Sequence, residues 1–518
     1  LSMDHDKLRE AAMAVTNIPA EYVLVMEDSI PKDDARERGY IWEHPGRPDE
    51  RIEIALDLDT AALLDLRIES ANHSGSSRRC PLEDVKAVTD AFLAKHMLEP
   101  SRLTWVHVEE GQSNTYMTFK EEVGGVALPN TGCELTLDAE LNVVRYRNCY
   151  SMGERSSPEW PKKIADAGEI KSQLIRELRM ELAIVAMHPG MHEGYAADET
   201  YRLVYVPHTE GQQLDAVTGH FLYEPDHDSM PPSFPILTRE GSMQPPLRYA
   251  EEDRAAIESK LGMDSERNRL DRSHDDGGII TLIYRAKDEQ QPDTEAEALT
   301  VDGYLERRWG EQLRNMTATY RLQFEKATGR LIDFSSYRRS IGEAQTGETM
   351  PLSRSECWRR AKRFMELVFP EYDRYLHLQE AERSENAVEP AEREFFYLPV
   401  YIGGCPVHLE RVTICVSTAT GEVMLYSGVS IDLLRKLERC EFRPSLASEE
   451  AAKRYLAYYR LRLRWHLNQE QSPPSYRLIY ETVAAEDELP FEGSHNRTLR
   501  YIDAVNGDLI WDKVIKRK

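Results

Sequence analysis

Histidine and arginine are the residues whose spacing in this chain could carry chemistry. Five of the fifteen histidines, His188, His192, His208, His220 and His227, fall in one stretch. His188 and His192 stand four apart in MHPGMHEGY with Glu193 adjacent, and His220 follows a turn-like sequence. Neutral imidazoles beside a carboxylate suit zinc or another borderline divalent metal, so His188, His192 and His220 form a candidate metal set. Pro189 and Gly190 break any helical i,i+4 face between the first two and place them in a loop, where exposed loop histidines are the plainer reading. In YRLRLRWHL, Arg460, Arg462 and Arg464 alternate with apolar residues, and a period of two puts all three on one face of a strand. Such a strip could dock an anion or an acidic peptide. Its plainer role is cross-strand pairing with acids of its own chain, such as Glu481.

The common catalytic signatures GxxxxGK[ST], GxSxG and HExxH are missing, and no GxGxxG follows a strand. With 90 acidic residues, no Asp/Glu pair can be singled out as general acid and base. The sequence therefore names no catalytic residue and no cofactor.

The elements that must position these residues recur. A strand, a tight turn and a second strand appear as IALDLDTAALLDLRI (54–68), ELTLDAELNVVRYR (134–147), QQLDAVTGHFLYE (212–224), RLQFEKATGRLIDF (321–334), TICVSTATGEVMLY (413–426) and RYIDAVNGDLIWD (500–512). Gly219, Gly329, Gly421 and Gly507 stand fourth after an Asp, Glu or Ser, where the turn needs a positive φ. Asn142 and Leu63 take that place in the other two copies. Leu is unsuited to it, so the first copy is expected to turn differently.

A segment of helical periodicity precedes each hairpin. Ser353 and Glu356 make a capping box ahead of a stripe of Trp358, Ala361, Met365 and Val368. Further strands lie between helix and hairpin, such as YVLVMEDS (22–29) and FFYLPVYIGG (395–404). These patterns predict an α+β chain of about six tandem helix-plus-antiparallel-sheet repeats: 1–75, 80–150, 160–224, 249–340, 350–430 and 444–518. A Pro-rich linker over 225–248 separates two groups of three. Segments 286–303 and 384–394 read as exposed loops, being charged and containing Pro.

Composition agrees with a folded chain throughout. At 518 residues, 41% apolar and 30% charged, it is long enough for several cores. A net charge of −25 disfavours nucleic acid and anionic membrane as partners. Seven scattered cysteines without a CxxC pair suit reduced thiols. The opening LSMDHDKLREAAMAV lacks an apolar h-region, and no later run approaches a membrane span, so the cytoplasm is the expected compartment.

The helix, strands and D-x-x-T-G-apolar turn resemble the PepSY domain, and the multi-copy arrangement is similar to the YcdB/YcdC-type repeats of spore-forming bacteria. The six hairpins carry the likeness, together with GGVALPNTGCELTLD (124–138) and IGGCPVHLERVTICVSTATGEV (402–423). The resemblance implies a cystatin-like helix-on-sheet unit, regulation through protein contacts, and no catalytic residues to carry over. The expected function is a non-enzymatic binding or regulatory repeat protein with a protein or peptide partner. The alternatives are a metal-dependent hydrolase near the His-rich third repeat and a structural spore-associated assembly protein.

Overall fold

The computed structural model describes residues 4–31, 35–70, 80–97, 99–111, 113–150, 157–195, 200–208, 213–222, 231–237, 243–287, 298–316, 318–337, 350–381, 391–468, 474–486 and 497–513. The chain is mixed α+β, with strands predominating. His227 and residues 225–230 and 238–242 of the Pro-rich linker lie outside the described residues, as do most of 286–303 and 384–394.

The first two hairpins build one antiparallel sheet of eight strands. Its order is Val23–Ile30, Glu37–His44, Arg47–Asp57, Leu63–Glu69, Val143–Asn148, Cys133–Leu137, Thr115–Lys120 and Thr104–Glu110. The seam is the pairing of the two final strands, where Tyr146 faces Leu66. Helices His5–Met13 and Leu82–His96 cover one face. Leu8, Ala12, Val85 and Leu93 from these helices form one buried cluster with Tyr40, Ile54, Leu66, Phe119, Leu135 and Tyr146. Burial of that apolar area, at ~25 cal/mol per Å², is what holds the helices on the sheet.

The same plan recurs later in the chain. Asn268–Asp275, Ile279–Ala286, Tyr320–Glu325 and Leu331–Ser336 continue into Val423–Ser427, Cys405–Ser417 and Arg393–Ile402. Phe334 faces Tyr426 across this second seam. The capping box of Ser353 and Glu356 starts the helix Arg354–Val368 as its sequence predicts. The buried stripe is shifted, however: Cys357, Ala361, Phe364, Met365 and Val368 point inward. Trp358 lies at the margin and packs on Phe396, with ring centroids 5.2 Å apart.

The third and sixth hairpins are interlocked. Arg179–Met187 pairs with Thr200–His208, which takes Leu499–Asp503 and then Leu509–Trp511 as its next neighbours. Conversely, Tyr459–Asn468 and Ser475–Ala484 are completed by Leu214–Asp215. Helix Ser448–Leu456 packs on the first of these sheets. The start of helix Ala167–Glu177 is tied to the second, where Tyr480 Oη donates to the Ala165 carbonyl at 2.8 Å. Residues early and late in the chain are therefore hydrogen-bonded neighbours, which strand patterning alone does not specify.

The turns follow one chemistry. Asp57, Asp138, Asp215 and Asp503 each accept backbone N–H groups from the residues just beyond through Oδ1. Gly219, Gly329, Gly421 and Gly507 have positive φ. The first copy is not an exception: Ala61, fourth after Asp57, takes φ 55° and donates to the Asp57 carbonyl at 2.9 Å. Leu63 instead begins the next strand. In the second copy Leu141, not Asn142, has the positive φ of 65°.

Segment 286–303 is not wholly an exposed loop. Leu299 accepts the Glu27 N–H at 2.7 Å. Helix Val301–Met316 then lies against the edge of the eight-stranded sheet, where Val301 and Tyr304 cluster with Val25, Met26 and Ile41.

Candidate functional site

Alternation along the strands decides which residues line the side of the eight-stranded sheet opposite helices His5–Met13 and Leu82–His96. Tyr40, Ile54 and Leu66 point to those helices, so their neighbours Gly39, Ile41, Glu53, Ala55 and Asp65 take the opposite side. Asp28, Gly39, Ala55, Asp65 and Arg147 face one another in successive strands and form a row across the sheet. Small residues at the middle of that row leave space above it. A Cβ on Gly39 would come within 3.0 Å of Ile30 Cδ1 and 3.2 Å of Met26 Cε.

The result is an open groove of ≈ 730 Å³. Helix Val301–Met316 stands over the first two strands, where Tyr304 Oη donates to Glu43 at 3.0 Å. Tyr150 marks the opposite limit and donates to Glu121 at 3.1 Å. Ile30, Pro31 and Ile41 give the groove an apolar side. Arg145 and Arg147, both exposed, give it a basic one.

Three carboxylates lie between these sides. Glu53 is paired with Arg51, which also reaches Glu69 at 3.1 Å. Half-buried Glu37 and Asp65 make no hydrogen bond or close ion pair among the described residues. Burial holds the Glu37 carboxyl above the usual carboxylate range, and the neighbouring Asp65 adds to this. Burial likewise raises Asp65, against the pull of Arg145, with Glu53 pushing it further up. Glu37 and Asp65 are short of a paired cation among the described residues, and the groove can accept a cationic group on an apolar stem.

This site was not legible in the sequence because its residues come from separate strands. The available signal was the alternation of charge with apolar residues in DLRIE (65–69) and RYRN (145–148). That pattern states which residues share a face but not which strands become neighbours.

The residues that the sequence did single out are placed as follows. His188 and His192 share one tight turn, where His192 Nδ1 accepts the His188 N–H at 3.1 Å and His188 Nδ1 accepts the Gly190 N–H at 3.0 Å. His192 is buried beside Tyr195 and Tyr501, and burial lowers its pKa against the opposing pull of Asp512. The turn anchors the chain's last strand: Lys513 N–H donates to Met191 at 2.8 Å, and Glu193 N–H to Trp511 at 3.0 Å. His220 is exposed at the 213–222 hairpin, which belongs with the other interlocked sheet. Among the described residues, no group of three or more His, Cys, Asp or Glu is arranged to hold a metal. Arg462 and Arg464 both grip Glu481, which stands directly opposite Arg462. Arg460 donates to the carbonyls of Ala485 and Glu486 at 3.0 and 2.7 Å. Arg462 and Arg464 thus make the cross-strand pairing with Glu481 that the sequence offered as the plainer role, while Arg460 binds backbone instead. No helix among the described residues is long and apolar enough to cross a membrane.

The family described as the YcdB, YcdC repeated domain matches residues 5–149 and again 296–430. The chain belongs to this family. The first match covers the eight-stranded sheet and its groove, and the second ends just past the seam strand Val423–Ser427. YcdB of Bacillus subtilis is 25% identical over 92% of this chain and 94% of its own length. YcdC of the same organism is 23% identical over 93% of this chain and 97% of its own. Among solved structures, the C-terminal domain of Bacillus megaterium YpeB aligns with 43% of this chain and 96% of that one, at 13% identity and a TM-score of 0.28.

Proposed function

We propose that the protein is a non-enzymatic binding scaffold of six helix-led units, and that it docks a polypeptide partner on the open face of its first paired sheet. The pairing of units one with two and four with five is supported by the two family matches and by corresponding seam residues. Asp65 corresponds to Asp333, and Tyr146 to Tyr426. Units three and six then complete each other across the two halves.

The observation that carries the docking role is the groove itself. A sheet face that no second layer among the described residues fills, cut by a channel over Gly39 and Ala55 and lined with charges of both signs, offers a ready contact for an extended chain. The catalytic signatures are lacking, and the groove sets half-buried Glu37 and Asp65, with no ion pair among the described residues, beside exposed Arg145 and Arg147, which suits recognition of a charged chain.

A photo-crosslinking residue at Ala55 tests this reading in extract of the native host. One at Val217, exposed on the 213–222 hairpin of another sheet, serves as control. The reading expects one protein to be captured from position 55 and the capture to be lost when Arg145 and Arg147 are both changed to Glu. Equal capture from both positions, unaffected by the charge reversal, would overturn it.

A further inference from the structure

We infer that the groove recognises an extended polypeptide segment through a lysine or arginine side chain, followed two or three residues later by an acidic one. This rests on the docking reading above and adds the chemistry of the occupant.

Charge complementarity selects that occupant. Glu37 and Asp65 are half-buried carboxylates without a hydrogen-bonded cation among the described residues. They sit beside an apolar side formed by Ile30, Pro31 and Ile41. A long alkyl stem ending in a positive head fits both features, because the stem covers apolar surface while the head meets the carboxylates. An acidic side chain in the same place would meet two carboxylates of its own sign, and a purely apolar one would bury them unpaired.

The far side is set for the opposite charge. Ala55, Asp65 and Arg147 occupy one row on neighbouring strands. Arg147 therefore lies about 10 Å from the strand of Ala55, given the usual strand spacing. That is roughly the reach of two or three residues along an extended chain. The strip of Arg460, Arg462 and Arg464 offers no comparable opening, since Glu481 and backbone carbonyls occupy its guanidinium groups.

The test is a titration of the full chain with blocked heptapeptides, one with a central Lys and an Asp three residues on, the other with norleucine replacing the Lys. Asp65→Asn and Ala55→Trp variants are titrated alongside, with circular dichroism confirming that each is folded. We expect the Lys peptide to bind about tenfold or more tighter than the norleucine peptide. Asp65→Asn should erase most of that difference, and Ala55→Trp should weaken the binding of both peptides. Equal affinity for the two peptides at a site sensitive to Ala55→Trp overturns the inference and leaves the docking reading standing. Binding insensitive to both variants overturns it as well. So does no binding of either peptide while position 55 still crosslinks to a native partner. Loss of binding and crosslink together defeats both readings. Free lysine binding as tightly as the peptide would mark a small-amine site and also overturn the inference.

Discussion

At the scale of single residues, equivalent positions do similar things in the two paired sheets. Tyr146 and Tyr426 are fully buried at the two seams, and neither phenol oxygen has a hydrogen-bond partner among the described residues. Burial raises both phenols well above their ordinary range. An unpaired buried hydroxyl costs its desolvation without return, so Tyr146→Phe and Tyr426→Phe should each leave stability unchanged or raise it by up to about 1 kcal/mol. Urea midpoints measure this, and a loss beyond that size would mean the oxygens have partners. His192 makes a second prediction. Its folded pKa is depressed by burial, so folding excludes a proton that the unfolded chain accepts. Its contribution to stability is present above the ordinary imidazole range and is lost as the pH falls through it toward the lower folded value. His192→Asn keeps an acceptor for the His188 N–H but cannot titrate there, and should flatten the pH dependence of unfolding as the pH falls below about 6.5. These positions were only half legible in the sequence. The spacing of His188 and His192 marked a loop, but nothing local revealed that one ring would be buried against Tyr501 from the end of the chain.

At the scale of elements, turn chemistry was the most legible feature. Asx capping followed by a positive-φ residue is written in consecutive residues and needs no tertiary partner. The register slipped where that residue is not glycine, at Ala61 and Leu141. A β-carbon in the left-handed region costs about 1 kcal/mol, so Leu141→Gly should stabilise the chain by roughly that amount. A thermal or denaturant midpoint that fell instead would show that the Leu141 side chain, packed beside the first core, outweighs the strain. Gly507→Ala should destabilise, because φ there is 78° and the added Cβ would press on Arg454 where its guanidinium donates to the Gly507 carbonyl. Helix Val301–Met316 was not anticipated. Its stripe of Val301 and Tyr304 is short, and Leu305, Trp309 and Leu313 remain exposed. Its pattern therefore did not read as a core-facing helix. Its docking depends on Glu27, Asp28 and Glu43, which are distant in the sequence.

At the scale of the whole molecule, strand pairing between residues 200–208 and 499–503 joins the first half of the chain to the second. Arg202 adds an ion pair to buried Asp503 at 3.3 Å. Helix-then-sheet order suggested six self-contained units, but period-two patterning is satisfied by any neighbour with a matching apolar face. Removing residues 499–518 should therefore expose the amides of 200–208, far away in sequence, to rapid hydrogen exchange. Protection there unchanged by the truncation would contradict the interlock. The groove stands on the paired sheet outside this interlocked region, over Gly39 and Ala55. The most direct measurement is hydrogen exchange of the full chain with and without the partner captured from position 55. The account predicts slowed exchange in Glu37–His44, Arg47–Asp57 and Val143–Asn148 on binding. Protection confined to the segment of exposed Phe234 and Leu237, which lies outside this sheet, with these three strands unchanged, would contradict it.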